Sequence, residues 1–363
     1  MRASRRIALI LLIFTGQAFA AKGKHGAVEK QPAQSMNSND PAETEASEKK
    51  AAAQKPVTAP PAEQMAAHAG EVAQARTSHP MGVFGNLLFG FGKAPEAGPG
   101  TSQATGKTTS VTFMVGGHYD LNPDLTLGLR LPWTVGSATQ RDGLNASSQA
   151  LGAPVLMGEY RVTVNPVLRV PIDFGLGIPL ARGDYNPVTD PSAYRQTQLN
   201  EMADAASGYR DPELFGPKRF PIILGVGVDY ERGALAAHGA TKFVLGFKAG
   251  GSLHFPTDPA GNYEQKSVTL RNVTSAGIGY QFLDRPKLFG ALDSWVAVNA
   301  VNAVEYSSNE AASAPSRLQV VFEPRIGAHL GRLSPSLGYI FAIGGRLADT
   351  GTSGLELHCD LSF

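Results

Sequence analysis

The sequence predicts an all-β protein, a transmembrane antiparallel β-barrel of about 12 strands behind a disordered segment. Three observations predict it: a chain end that alternates apolar and polar residues, many further segments with that alternation, and connections of alternating length. The chain end is the clearest case. Its apolar face carries Leu355, Leu357, Cys359, Leu361 and Phe363, and its polar face carries Glu356, His358, Asp360 and Ser362. In a barrel, lipid contacts such an apolar face, and the polar face lines a wet interior.

The beginning of the chain predicts export. Residues 1–6 are basic, residues 7–14 are apolar, and small residues around Ala20 suit a cleavage site. This pattern predicts a secretory signal peptide over residues 1–20. Its apolar run is far shorter than the roughly 20 residues that a membrane-spanning helix needs. Since Cys359 is the single cysteine, no internal disulfide holds the exported chain together.

Composition separates a leader from the barrel. Residues 21–80 are rich in Ala, Glu, Lys, Gln, Pro and Ser, with few aromatic or β-branched residues. Such a stretch buries too little apolar surface to offset the entropy lost on ordering, so we predict a disordered periplasmic segment. It serves either as a tether to the cell wall or a partner, or as a spacer. The predicted barrel covers residues 81–363.

Turn signals divide this second part into twelve predicted strands. They lie near residues 83–92, 108–119, 125–133, 155–164, 167–180, 220–230, 242–255, 266–282, 288–306, 317–328, 335–347 and 354–363. The connections alternate between short ones, such as 120–124, and long ones, such as 181–219. With both termini in the periplasm, the short connections are periplasmic and the long ones face outward.

Aromatic residues support the membrane barrel against a secreted β-sandwich, which also alternates apolar and polar residues. Tyr119 and Tyr230 fall at the short-connection ends of apolar faces, and Trp133 falls at a long-connection end. Amphipathic rings at both rims are expected at the level of lipid headgroups.

The polar faces predict a glycine-lined lumen with charges of both signs. The lumen-lining candidates are Arg130, Glu159, Arg161, Arg169, Asp173, Asp229, Lys248, Arg271, Glu323, Arg325, Arg346 and Glu356. They either sort solutes along a polar path or pair across the lumen and brace the wall. The inward glycines either leave the lumen open or relieve curvature strain.

The longest connection, residues 181–219, has a helical segment. Residues 192–206 lack Gly and Pro, and Pro191 and Gly208 bracket them. A short helix is therefore predicted. Folded into the mouth of the barrel it constricts a pore; left outside it is surface decoration.

No catalytic motif stands out. The sequence has no G-x-S-x-G elbow, no H-E-x-x-H and no Cys/His metal spacing. We therefore predict that the protein is not an enzyme and has no cofactor and no metal. A formal net charge of +1 also argues against a nucleic-acid partner.

One segment resembles a known family. Residues 119–132 resemble the "Y-G-L-T-D-x-L-x-L-G-x-x-L-P" hairpin of the phenol-degradation MetA-type outer-membrane barrels, and residues 152–161 are similar to the segment that follows it. The resemblance covers about a fifth of the chain and implies uptake of small hydrophobic or aromatic compounds. It carries over no binding residues.

Two functions stay open at this point. One is passive transport of small solutes through a porin-like barrel in the outer membrane of a Gram-negative bacterium. The other is a structural or adhesive surface protein that uses the barrel as an anchor. The expected partners are outer-membrane lipid, a small-molecule solute, and the barrel-assembly machinery, which would engage the strand that ends in Phe363.

Overall fold

The computed structural model describes residues 80–93, 107–139, 145–183, 190–250, 263–284, 286–301, 304–306 and 318–363. The predicted signal peptide and the predicted leader, apart from residue 80, lie outside the described residues, and so do parts of the long connections.

Fifteen strands and two helices make up the described chain. The strands are β1 Met81–Lys93, β2 Lys107–Asn122, β3 Leu125–Thr139, β4 Asn145–Leu151, β5 Val155–Asn165, β6 Leu168–Gly177, β7 Arg219–Arg232, β8 Leu235–Lys248, β9 Tyr263–Gln265, β10 Val268–Asp284, β11 Lys287–Val301, β12 Val304–Tyr306, β13 Leu318–His329, β14 Leu333–Gly344 and β15 Ser353–Ser362. The helices are α1 Pro191–Ala206, between β6 and β7, and α2 Arg346–Thr350, before β15.

Thirteen of the strands form one sheet that closes on itself. The first and last strands meet as an antiparallel pair, with Leu87 opposite Leu357. The Phe363 amide donates to the Met81 carbonyl at 2.8 Å. Both β4 and β5 pair with β3, one along each half of it, so they act as one strand interrupted at residues 152–154. The wall therefore has twelve strand positions, and the predicted barrel is confirmed.

Side chains alternate across this wall as the sequence predicts. On β2, Val115 is 59% exposed on the outside, whereas Thr112 is 3% exposed on the inside. Leucines and aromatic residues cover the outside of the other strands in the same way. An outer surface this apolar suits lipid rather than water. Among the described helices, none has both the length and the apolar character needed to cross a membrane.

The two ends of the barrel differ. Connections of two or three residues join β2 to β3, β5 to β6, β7 to β8, β10 to β11 and β13 to β14, and we call this side the turn end. The opposite side, where the connections are longer, is the long-loop end. The predicted alternation of connection lengths is confirmed.

Among the differences from the predicted strands, three change the description of the wall. The β8 strand starts at Leu235 rather than at residue 242, because its first half consists of small residues that resemble a turn. The polar segment Asn145–Leu151 forms β4, which the sequence does not predict. The β14 strand ends at Gly344, so Arg346 begins α2 instead of lying on a strand. This corrects the prediction that places Arg346 in the barrel wall.

Candidate functional site

The connection between β6 and β7 runs into the barrel, and its residues 178–218 are called the insert. Of these, the structure describes 178–183 and 190–218. Its two ends meet at the long-loop end, where the Lys218 amide donates to the Ala181 carbonyl at 3.0 Å. Deeper inside, the Ala153 amide, at the break between β4 and β5, donates to the Leu214 carbonyl at 2.6 Å. The predicted helix therefore lies inside the barrel, which decides between the two positions considered above.

Local sequence explains where α1 begins and ends. The Asp190 side chain accepts hydrogen bonds from the backbone amides of Ser192 and Ala193, at 3.1 and 2.9 Å. Pro191 follows at the first helical position, where a missing amide hydrogen costs nothing. After Ser207 the chain leaves the helix through Gly208, whose φ of 66° suits glycine.

One face of α1 packs against the wall formed by β1 to β4, and glycines make room for it. Leu199, Met202 and Ala206 are buried on this face. A Cβ at Gly90 would come within 2.7 Å of the Ala206 Cβ. A Cβ at Gly136 would come within 2.9 Å of the Leu199 Cδ2. Gly90 and Gly136 thus leave the space that the helix occupies.

After α1 the insert continues into residues 207–215, which contact the remaining walls. Ala205 and Ala206 share an apolar cluster with residues of β1, β10, β11, β13 and β14, and Leu214 shares another with residues of β5, β7 and β8. Between residues 207–215 and the wall formed by β1 and β2, a cavity of about 10 Å³ remains. That is about the space of one water molecule. Between these residues and that part of the wall, the described insert leaves room for about one water molecule.

Arg210 is the central charge of the insert. Its guanidinium donates to the Glu323 carboxylate at 2.8 Å and to both Glu356 carboxylate oxygens at 3.0 and 2.8 Å. These carboxylate side chains are 0% and 5% exposed. Asn86 also donates to Glu356. The guanidinium lies 5.5 Å from the centre of the Trp295 ring, so an aromatic face completes its surroundings.

The next residue, Asp211, contacts the opposite part of the wall, on β3 and β8. Its carboxylate lies 3.1 Å from the Arg130 guanidinium and 3.5 Å from the Lys242 ammonium. Lys242 also lies 3.0 Å from the Glu213 carboxylate. One wall cation thus serves two carboxylates of the insert.

Two further contacts fix the insert to β10 and β11. The Arg271 guanidinium donates to the Asp204 carboxylate at 2.6 Å. The Trp295 indole donates to the Gly208 carbonyl at 2.8 Å, which satisfies a backbone group just beyond the helix. Trp295 is 2% exposed.

Electrostatics keeps the central pair of the insert charged. Burial raises the pKa of the Asp211 carboxyl, but attraction from Lys242, Arg210 and Arg130 outweighs it, and the pKa lies below its usual range. Burial lowers the pKa of the Arg210 guanidinium, but attraction from Glu356, Asp211 and Glu323 outweighs it, and the pKa lies above its usual value. Both groups therefore stay ionised at neutral pH.

Several of the predicted lumen residues meet at the insert. Arg130, Arg271, Glu323 and Glu356 all contact it directly. Arg325 supports Glu323 from the same strand, with 2.9 Å between guanidinium and carboxylate. These residues therefore form ion pairs inside the lumen, as in the second of the two alternatives drawn from the sequence.

The other candidates lie elsewhere. Glu159 and Arg161 form an ion pair on β5. Asp173 on β6 lies opposite Glu159. Arg169, also on β6, lies opposite Asp229 on β7. These five line the half of the barrel nearer the turn end.

Two candidates remain. Lys248 is exposed at the long-loop end of β8. Arg346 lies in α2, as noted above.

Five charged residues that form ion pairs between the insert and the wall are absent from the predicted set: Asp204, Arg210, Asp211, Glu213 and Lys242. Lys242 had a detectable signal, because it lies in phase with Gly246 and Lys248 on the polar face of β8. The other four lie on the insert, where no strand alternation indicates the direction of a side chain. Among the described residues, no three metal-binding side chains converge.

Comparison with known proteins identifies the fold. No protein-family model matches the sequence, and no curated protein is significantly similar to it. Among solved structures, an outer-membrane channel from Pseudomonas putida F1 is 14% identical, with a TM-score of 0.50, covering 78% of this chain and 95% of that one. That likeness shows the outer-membrane β-barrel fold, and the resemblance drawn from the sequence is confirmed at this level.

Two other solved barrels are similar at lower scores. The KdgM porin is 8% identical, with a TM-score of 0.42 in its complex with disordered oligogalacturonate, covering 78% of this chain and 99% of that one. The translocator domain of the autotransporter NalP from Neisseria meningitidis is 13% identical, with a TM-score of 0.43, covering 83% and 97%.

Proposed function

We propose that this protein is an outer-membrane barrel that passes small solutes passively and that the insert closes its lumen in the resting state. The observation that carries the proposal is the way the insert is held. Charged side chains anchor it to the lumen wall, and the backbone hydrogen bond from Ala153 to Leu214 adds to the connections at its ends. A permanent filling would be stabilised as well or better by apolar packing, because buried ion pairs gain little net stability.

The charged side chains of the lumen wall indicate which kind of solute the barrel would pass. The resemblance to MetA-type barrels implies hydrophobic or aromatic compounds. At the level of the insert, however, the wall presents Arg130, Lys242, Arg271, Glu323 and Glu356. Charged walls favour polar solutes, because apolar ones leave the wall groups without partners. We therefore favour small polar solutes.

One observation supports the second function, in which the barrel is a membrane anchor. The cavity of about 10 Å³ beside the insert is far too small for a solute, which suits a barrel that serves only as a membrane anchor. In that case the long connections would carry the function, and the barrel interior would be structural.

Liposome swelling separates the two functions. Full-length protein in liposomes should admit small polar solutes slowly, and an Arg210→Ala variant should admit them faster, because its insert is released more often. Migration of heated and unheated samples on a denaturing gel would confirm that both barrels are folded. Swelling no faster than that of protein-free liposomes for both proteins would favour the anchor.

A further inference from the structure

The acidic side of the closed lumen is occupied by a cation of the insert. Glu323 on β13 and Glu356 on β15 both accept hydrogen bonds from the Arg210 guanidinium. We call these two carboxylates the acidic arc. Glu323 has a second cation, Arg325, beside it, whereas the cation paired with Glu356 is Arg210. Without Arg210, the buried Glu356 carboxylate would keep the hydrogen bond from Asn86 and the more distant attraction of Arg325.

The basic side is occupied by anions of the insert. Arg130 on β3 and Lys242 on β8 lie 3.1 and 3.5 Å from Asp211. We call these two cations the basic arc. Asp173, which lies nearer the turn end, interacts electrostatically with both cations at longer range. The ion pairs of the basic arc, however, are formed with the insert.

Arg210 and Asp211 join the two arcs. Their side chains contact each other, with 3.2 Å between the Arg210 Nε and the Asp211 Oδ2. Across the lumen the order is therefore acidic arc, guanidinium, carboxylate, basic arc. Adjacent residues of one segment thus present a positive and a negative group to two walls of opposite charge.

We propose that the acidic arc and the basic arc form a binding site for small zwitterionic solutes, which Arg210 and Asp211 occupy in the closed state. This inference rests on the proposed function, since a solute reaches the arcs only when the insert moves. The side chains of Arg210 and Asp211 then compete with the solute for one site. A bound zwitterion stabilises the open lumen.

A zwitterion suits the site better than a simple ion does. Once the insert has moved, a cation alone would pair with Glu356 but leave Arg130 and Lys242 with the more distant Asp173 as their anion, and an anion alone would leave Glu356 without its guanidinium partner. A buried charge without a partner is costly. Each single ion is thus disfavoured by the arc that it cannot neutralise, which is how a site gains specificity.

The test uses the full-length double variant Arg210→Ala with Asp211→Ala, purified in detergent. Its thermal unfolding midpoint is measured against increasing concentrations of γ-aminobutyrate, n-butyrate or n-butylammonium, at constant ionic strength. We expect a saturable rise with γ-aminobutyrate and an affinity about tenfold or more above that for either single ion. The wild type, whose site is filled, should show no such rise.

The matched control is Glu231→Ala with Arg232→Ala, an adjacent pair of opposite charges that is exposed at the turn end. It should behave like the wild type. Adding Glu323→Gln and Glu356→Gln to the double variant should remove the preference for the zwitterion. Equal shifts with all three probes, or no shift with any of them, would overturn the proposal. If the double alanine variant does not fold, Arg210→Gln with Asp211→Asn is put to the same test.

Binding and transport can fail separately. Selective binding of γ-aminobutyrate without any solute flux into liposomes would refute the proposed transport and leave the site in place. Flux into liposomes without selective binding would refute the site and leave transport in place.

Discussion

The wall of the barrel and the insert inside it are stabilised by different forces. In the wall, each strand is hydrogen-bonded to both neighbours, and the apolar side chains point outward. In the insert, ion pairs and one short helix fill the lumen. The wall is stable wherever lipid surrounds it, whereas the insert is held in place by ion pairs together with apolar contacts to the inside of the wall. This difference suggests that the insert can leave its place while the wall remains intact.

The largest effect is expected from Arg210→Ala. Removing the guanidinium leaves the buried carboxylates of Glu323 and Glu356 without it, which costs the docked insert about 3–5 kcal/mol. Trypsin cleavage after Arg195, on α1, should accelerate more than about tenfold. The heat-dependent gel shift of the barrel should stay unchanged. Arg182→Ala, an exposed position of the insert, is the control, and equal cleavage rates in the two variants would contradict this role of Arg210.

Glycine substitutions compare a position that faces the insert with a position on the outer surface of the wall. A Cβ at Gly354 would overlap with the Ala206 carbonyl oxygen, whereas a Cβ at Gly85 would meet nothing within 4 Å. Gly354→Ala should therefore cost about 1–3 kcal/mol, and Gly85→Ala should stay within about 0.5 kcal/mol of the wild type. Chemical unfolding in detergent measures both, and similar costs would mean that α1 does not press on β15.

The two tryptophans allow a further comparison. Trp295→Phe removes the hydrogen bond to Gly208 and should cost about 1–2 kcal/mol, whereas Trp133→Phe on the outer wall should cost less. In proteoliposomes, brominated lipid should quench the fluorescence of Trp133, which is 43% exposed, far more than that of Trp295, which is 2% exposed. Similar quenching in the two single-tryptophan variants would place Trp295 at the lipid surface and contradict the structure.

The smallest effect concerns pH. Asp211 has a pKa below its ordinary value of 3.8, so its ion pairs contribute fully above that value and are lost as the pH falls below it. The difference in unfolding midpoint between wild type and Asp211→Asn should thus be constant from about pH 7 to about pH 5 and shrink only below about pH 4. A difference that vanishes between pH 7 and pH 5 would show that Asp211 is not held in this way.

Prediction from sequence succeeds for the wall because a strand exposed to lipid must alternate. Along β3, Leu127, Leu129 and Leu131 face outward and Arg130 faces inward, as the alternation predicts. Prediction fails where side chains are small or polar throughout. Asn145–Leu151 therefore gives no signal for β4, and the start of β8 resembles a turn.

The insert could be predicted only in part. The helix is predicted within one residue of its observed bounds, Pro191–Ala206, because its capping residues are local. Its place inside the barrel is not predicted, because polar residues such as Asn200 are buried together with Leu199 and Met202, so no apolar stripe marks a buried face. The wall partners of Arg210, Glu323 and Glu356, lie more than 100 residues away along the chain, and no local pattern can indicate them.

Removing the insert from the chain shows whether it closes the lumen. Because the Ala181 carbonyl and the Lys218 amide are 3.0 Å apart, residues 182–217 can be replaced by a short Gly-Ser loop without moving β6 or β7. Single-channel conductance of this variant in planar bilayers is then compared with that of the wild type. We expect a steady open conductance for the variant and mostly closed traces with brief openings for the wild type. Equal conductance in the two proteins, or a folded variant that does not conduct, would contradict this expectation.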